Sequence, residues 1–406
     1  MPAGVGLPGR AGWAWFYLYN EHIARFLGRR IPHDYGQVPI PIFWLLLLLW
    51  LLPWIAFLPA ALLDAVRDLR FCPDPALRFD SDADLLHNAV VDSYVRHREA
   101  ALTCLLWAGI ILGFFTLSSR QEYYHLPALP ALALLVGGLL AAADSQRSAL
   151  FVPLSLPQRL DAAKQALRSS LFFLVPLGTL LFPLCGYFAL TAPTPRPETT
   201  INDVLSSNPA LYNLSLGHVF DLTGQAMGFF RGPLLTVALC MLALGPVSHL
   251  VRRSARKTAS FLANLIVASS MIGVLFAAHT GLVRFYPILG SKSLALAIDA
   301  QHRAGDLIIV DGELTSGSTL LFYTPKSDAP ILLVNGRVNG PWFGSFWPDA
   351  PHIFPNETQL HALWAGSNRI FLLTYDPQTR TTDLSPFGHV HVFAESGGKT
   401  ILTNRP

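Results

Sequence analysis

Between residues 41 and 282 the chain alternates apolar stretches of membrane-crossing length with short polar or basic breaks. This alternation constrains the fold more than any other feature. A spanning helix needs about 20 mostly apolar residues, because in hydrocarbon each backbone N–H and C=O must be satisfied within the segment. Six stretches qualify: 41–63, 100–118, 126–143, 170–191, 232–251 and 259–282. Pro53 and Pro59 lie in the first, where neighbouring helices can re-satisfy the backbone. Composition agrees: 14% of residues are charged and 52% hydrophobic, whereas soluble domains carry about 25% charged residues. A net charge of +3 is too small to argue for a nucleic-acid partner. The cysteines, Cys72, Cys104, Cys185 and Cys240, show neither zinc spacing nor a disulfide framework.

Basic residues set the expected orientation. "RRSARK" (252–257), the 147–168 stretch and the 64–99 stretch are rich in arginine and lysine, which places them in the cytoplasm by the positive-inside rule. Residues 1–40, the seam 118–125, the loop 192–231 and the tail beyond 283 then face outward. The outer segment 1–40 runs against the bias, with Arg25, Arg29 and Arg30. Anionic headgroups or a phosphate ligand would account for cations kept there. The seam "SSRQEYYH" holds Arg120, Glu122, Tyr123 and Tyr124 between two apolar runs. Two readings stand: an interfacial belt anchoring helix ends, or a grip on a charged ligand at the membrane surface.

After residue 290 the pattern changes. "DLIIVDG", "APILLVNG" and "NRIFLLTYD" read as short buried strands, "GSTLLFYT" (317–324) and "ETQLHALWAG" (357–366) as helices between them, and "AESGG" as the turn of a closing hairpin. The segment 284–298 reads as a joint, and its Lys292 receives no chemistry. "GELTSGST" reads as a Gly/Ser turn rather than a phosphate loop, since it lacks the lysine and spacing. "NET" (356–358) fits the glycosylation acceptor pattern. The fold class expected is a multi-span α-helical membrane protein with about six spans. An outer juxtamembrane segment (1–40) precedes the membrane region (41–283), and a C-terminal extracytoplasmic α/β domain (284–406) follows it.

Three motifs occur in order: "WFYLYNEHIARFLGRR" before the first span, "SSRQEYYHLPALPALALL" after the second, and "LYNLSLGHVFDLTGQAMGFFRGPL" before the fifth. This order resembles the 4-amino-4-deoxy-L-arabinose transferase-like glycosyltransferases, membrane enzymes of the protein-mannosyltransferase (GT-C) type, along nearly the whole chain. Family members are longer and carry their presumed catalytic base in an early outer loop. The resemblance therefore reads this chain as the C-terminal part of such an enzyme, a truncated gene model or a degenerate paralogue. It implies a polyprenyl-phosphate sugar donor, a lipid, glycan or protein acceptor such as lipid A, and residence in a bacterial inner membrane.

The resemblance also implies roles. Arg120 and Tyr124 look like the residues that contact the carrier's phosphate, and Arg25 like a further phosphate contact. His22 resembles a contact to a divalent metal ion, with Glu21 beside it. His218, Asp221 and Arg231 of the outer loop read more simply as structural residues. Nothing here matches the base-bearing outer loop, so the catalytic base is unassigned, and Glu21, Asp34 and Glu122 become candidates only if the chain alone transfers sugar. The competing reading is a non-catalytic scaffold that binds the lipid carrier. A transporter would need ionisable residues in mid-span, and His249 and His279 lie near span ends.

Overall fold

A computed structural model describes residues 12–32, 38–70, 85–148, 162–206, 221–324 and 330–406. Asp34 and His218 lie outside these described residues. Five helical stretches are long and apolar enough to cross a membrane: Val95–Leu117, Leu126–Ser145, Ala162–Thr191, Ala226–Arg253 and Ala259–Leu289. They match the second to sixth expected spans. The first differs. Helix α1 (Ile40–Trp50) ends in a turn, one 3-10 turn (Trp54–Ala56) follows, and α2 (Leu58–Arg70) then begins. Proline is the cause: Pro53 has no N–H to donate, and its ring clashes with the preceding turn of a continuing helix. Residues 41–63 therefore form two short helices instead of one span.

Helix α3 (Leu85–Leu117) leads through the seam to α4 (Leu129–Ser148). α5 (Ala162–Ser169) runs through a π-turn into α6 (Val175–Thr191). α7 (Arg231–Leu242) runs through a second π-turn into α8 (Ser248–Arg253), and α9 (Ala259–Leu289) is the last span. α6 packs against the end of α7 and the π-turn that follows it at Gly178 and Gly245. A Cβ added to Gly178 would lie 2.4 Å from the Met241 carbonyl oxygen, and one on Gly245 2.5 Å from that of Leu174. Small residues at such a contact let backbones approach where lipid supplies no hydrophobic drive. Because successive spans alternate in direction, the seam, residues 192–206 and 221–225, and the exit of α9 share one end of the bundle. The backbone N–H of Val38 donates to the Arg120 carbonyl there at 3.1 Å.

The C-terminal domain contains α10 (Lys292–Gln301), β1 (Leu307–Asp311), α11 (Ser318–Tyr323), β2 (Leu332–Val334), α12 (Glu357–Ala365), β3 (Ile370–Thr374), α13 (Pro377–Leu384), β4 (His391–Ser396) and β5 (Lys399–Thr403). The sheet order is β2-β1-β3-β5-β4, with β2, β1 and β3 parallel and β5 antiparallel to both neighbours. Ile308, Val310, Phe371 and Leu373 pack on α10 and α11 on one face. Ile309, Ile370, Leu372 and Leu402 pack on α12 and α13 on the other. Burial on both faces is why β1 and β3 are almost wholly apolar.

The three strands, two helices and hairpin expected from sequence are all present. α10 and α13 were not anticipated: the first lies in the segment read as a joint, and the second is the polar "PQTRTTDL". Its start signal is present nonetheless, with Asp376 accepting from the Thr379 N–H and Pro377 in the first turn. Asn356 of the "NET" triplet caps α12, its Oδ1 accepting from the Gln359 N–H at 2.8 Å.

The β4–β5 turn fastens this domain to the last span. Lys399, only 3% exposed, aims Nζ at the carbonyls of Ile288, Leu289 and Gly290, at 3.0–3.3 Å. Cations suit a helix C-terminus, where carbonyls lack intrahelical partners. Ser396 donates to the Pro287 carbonyl at 3.1 Å. Gly397 has φ +59°, and a Cβ there would fall 2.0 Å from the Ile288 carbonyl oxygen.

Candidate lipid-phosphate site

The segment Trp15–Ala24 is wound as a π-helix. Its wider turn places His22 Nδ1 2.6 Å from the Tyr17 carbonyl, so Nδ1 carries the proton there. Buried Asn20 holds the returning chain by exchanging two hydrogen bonds with the Ile31 backbone, at 2.7 and 2.8 Å. That closure brings Arg30 back to Glu21. Glu21 Oε1 accepts from Arg30 Nε at 2.8 Å, and Oε2 accepts from Arg25 Nη1 at 3.3 Å. Arg30 also donates to the Pro32 carbonyl at 2.8 Å.

Arg25, oriented by Glu21, crosses to the seam, where its Nη2 donates to the Tyr124 hydroxyl at 2.5 Å. The Tyr124 ring rests on Phe115, with centroids 4.6 Å apart. Two of the expected phosphate contacts, 99 residues apart in sequence, are thus joined. Glu21, Arg25 and Arg30 thus form one charged cluster. Beside them Ile23, Leu27, Phe114 and Leu117 expose apolar surface, and Phe26 packs on Phe114 at 5.2 Å. A cation therefore stands at the edge of a greasy face.

Arg120 is used differently. Its Nε donates to the Phe115 carbonyl at 3.1 Å, Nη2 to Thr116 at 3.2 Å and Nη1 to Val38 at 3.2 Å. Two of these carbonyls belong to the last turn of α3, so the guanidinium caps that helix and ties it to the strand of chain entering α1. A guanidinium has five N–H donors, and three point at backbone here.

Glu21 and His22 do not by themselves fit a metal ion. Both Glu21 oxygens accept from arginines, His22 offers only Nε2, and a bound divalent cation usually wants three or four protein ligands. Among the described residues the one group of three closely spaced ligand types is Glu357, His361 and Asp383. Arg380 already occupies it, with Nη1 2.8 Å from Glu357 and 3.3 Å from Asp383, while Nε and Nη2 each lie 2.7 Å from Asp311. The hydrogen bonds from Arg380 hold the Glu357 carboxyl below its usual range, and those it donates to Asp311 raise Arg380 itself. This cluster lies at the C-terminal ends of β1 and β3, on opposite sides of which the chain proceeds, the usual ligand crevice of an open parallel sheet. Here an ion-pair network fills it.

In the outer loop, Arg231 donates to the Ala192 carbonyl and Asp221 is 2% exposed, with its carbonyl accepting from the Ser206 N–H. Lys292 sits 5.2 Å over the Tyr323 ring. Arg30 and Lys399 were missed as positioning residues. The doubled arginine at 29–30 was the only sequence signal for the first, and nothing in "KTILT" marked the second.

The chain is a helical bundle, with five helices long and apolar enough to cross a membrane, and a small α/β domain fastened to its last span. Among solved structures the chain is similar to ArnT, the 4-amino-4-deoxy-L-arabinose transferase, from Cupriavidus metallidurans. Against its structure bound to undecaprenyl phosphate the TM-score is 0.59 at 17% identity, over 96% of this chain and 55% of that one. Against its apo structure the TM-score is 0.53 at 17% identity, over 96% of this chain and 57% of that one. The chain thus has an ArnT-like fold and spans a little over half the length of those neighbours. No protein-family profile and no curated protein sequence matches it.

Proposed function

We propose that this chain is part of a membrane glycosyltransferase that holds a polyprenyl-phosphate sugar donor and passes the sugar to an acceptor such as lipid A, another glycan or a protein. The observation that carries the reading is the Arg25–Tyr124 pair, 2.5 Å apart at the edge of exposed apolar surface. A polyprenyl phosphate has the complementary shape: a long apolar tail ending in a phosphate. The fold neighbour bound to undecaprenyl phosphate supports the same ligand class. Residence in a bacterial inner membrane, with the α/β domain extracytoplasmic, belongs to this proposal and rests on the basic 64–99, 147–168 and 252–257 stretches.

In the transfer, an acceptor hydroxyl or amine attacks the anomeric carbon, and the bond from that carbon to the phosphate oxygen breaks. Negative charge develops on the departing polyprenyl phosphate. A guanidinium and a phenol preset against it favour the transition state without reorganising. Arg120 fixes the start of the seam by tying the last turn of α3 to Val38. Glu21 orients Arg25, and both of its carboxylate oxygens are already taken up by arginines. That last feature favours the second reading, a carrier-binding protein without transfer chemistry.

The test is polyprenyl-phosphate binding by the full chain in lipid nanodiscs. Arg25→Ala should weaken it about ten- to a hundredfold, since a hydrogen bond to a charged group contributes roughly 1.5–3 kcal/mol. Tyr124→Phe should cost less. Equal binding by wild type and Arg25→Ala would sink the assignment. Sugar release from a polyprenyl-phosphate donor by the purified chain would separate enzyme from carrier-binding protein.

A further inference from the structure

The α/β domain holds a second concavity, of about 1250 Å³, between the β2 end, the 345–355 segment and α12. Among the described residues no carboxylate lines it, and its ionisable lining side chains are Arg337 and His352. Arg337 is held in an unusual way. Its guanidinium carbon lies 4.8 Å from the Phe346 ring centroid and 5.1 Å from that of Phe354, and Nη1 donates to the Ser345 carbonyl. Among the described residues it makes no ion pair. Aromatic contacts fix the plane of the fork and leave its outer N–H edge for a ligand. A planar, pre-oriented guanidinium without a carboxylate suits a phosphate or carboxylate oxygen pair.

The rest of the wall suits a sugar. Phe346 is 47% exposed, and Trp347 lines the same space. Aromatic faces take the C–H face of a pyranose, while the arginine takes its anionic substituent. The wall also reaches the first site. Trp347 meets Phe343 edge-on at 5.4 Å, and Phe343 stacks on Phe16 of the N-terminal π-helix at 4.3 Å. That helix carries Glu21 and leads directly into Arg25. The groove therefore abuts the element that presents the phosphate-binding arginine.

The geometry points to an anionic-saccharide site in this groove, one that receives a phosphate- or carboxylate-bearing sugar of the acceptor. Anion recognition by Arg337 stands on the groove alone; its use for an acceptor rests on the glycosyltransferase reading.

The experiment is a ligand-detected NMR titration of the full chain in nanodiscs with glucose 1-phosphate, glucose, inorganic phosphate and glycerol 3-phosphate. Glucose 1-phosphate should bind at least about tenfold more tightly than glucose or inorganic phosphate, because only it engages both the arginine and the rings. Arg337→Ala should remove that advantage, and Arg337→Lys should restore part of it. Arg337→Ala should leave polyprenyl-phosphate binding unchanged, and Arg25→Ala should leave glucose 1-phosphate binding unchanged, so failure of one site is distinguishable from failure of the other. Equal binding of glucose 1-phosphate to wild type and Arg337→Ala would overturn the proposal. Glycerol 3-phosphate binding as tightly as glucose 1-phosphate would overturn its saccharide half. A folding defect in Arg337→Ala would show as a lowered melting temperature; Trp347→Ala then serves as the second variant, expected to lose affinity for glucose 1-phosphate while retaining weak phosphate binding.

Discussion

Replacing Lys399 by methionine isolates the contact that seats the α/β domain on the last span. Burial pushes the Lys399 ammonium down to about 8 from an ordinary value of 10.5. At about 1.4 kcal/mol per tenfold change, the charged form costs on the order of 3 kcal/mol when folded at neutral pH. The three carbonyls at the end of α9 offset part of the burial cost but not all of it. The unfolded chain keeps this proton until about 10.5 and the folded chain gives it up near 8. Between those values the unfolded state binds more protons, so stability rises with pH. The wild type should therefore gain up to about 3 kcal/mol from pH 8 to 10.5 that Lys399→Met does not, roughly 3–4 °C in relative melting temperature for a chain of this length. Thermal unfolding of the full chain in detergent, wild type against variant in half-unit steps, measures it. A wild-type-minus-variant difference that stays flat across that window would refute the argument and show that water reaches Nζ.

Gly178→Ala should destabilise the bundle by about 1–3 kcal/mol, because the new methyl meets the Met241 carbonyl and the Gly245 backbone, which cannot swing aside; Gly186→Ala, which meets nothing within 4 Å, is the matched control for the melting experiment. Arg120→Ala should lower the melting temperature by removing the cap on α3, at about 1–3 kcal/mol, and Arg120→Lys should recover little, since one ammonium cannot span carbonyls of Phe115, Thr116 and Val38. Arg380→Met should cost the α/β domain about 3 kcal/mol by stranding Asp311 and Glu357. The lowered Glu357 carboxyl contributes stability present above its unfolded range and lost as pH falls through its folded value; the variant's unfolding should therefore be less acid-sensitive than the wild type's.

The sequence by itself determined the elements whose pattern is local. Apolar length marked five of the spans, period and turn residues marked β1, β2, β3 and the β4–β5 hairpin, and a charge excess picked out the 15–30 segment. It misjudged 41–63 because hydropathy counts Pro53 as tolerable in a span, while the missing N–H and ring clash act on the backbone. Pairings between distant segments were another matter. Arg120 and Tyr124 sit four residues apart and looked like partners in one task. Only the packing of the N-terminal π-helix against the seam sent Tyr124 to Arg25 and Arg120 to three carbonyls. Side-chain type says what a residue can donate; the fold decides which acceptor stands within hydrogen-bond reach of it. Lys399 and Arg337 show the same division. Nothing in their neighbours' identities distinguishes a buried cap on a span 110 residues away, or a guanidinium held between two rings, from an ordinary surface cation.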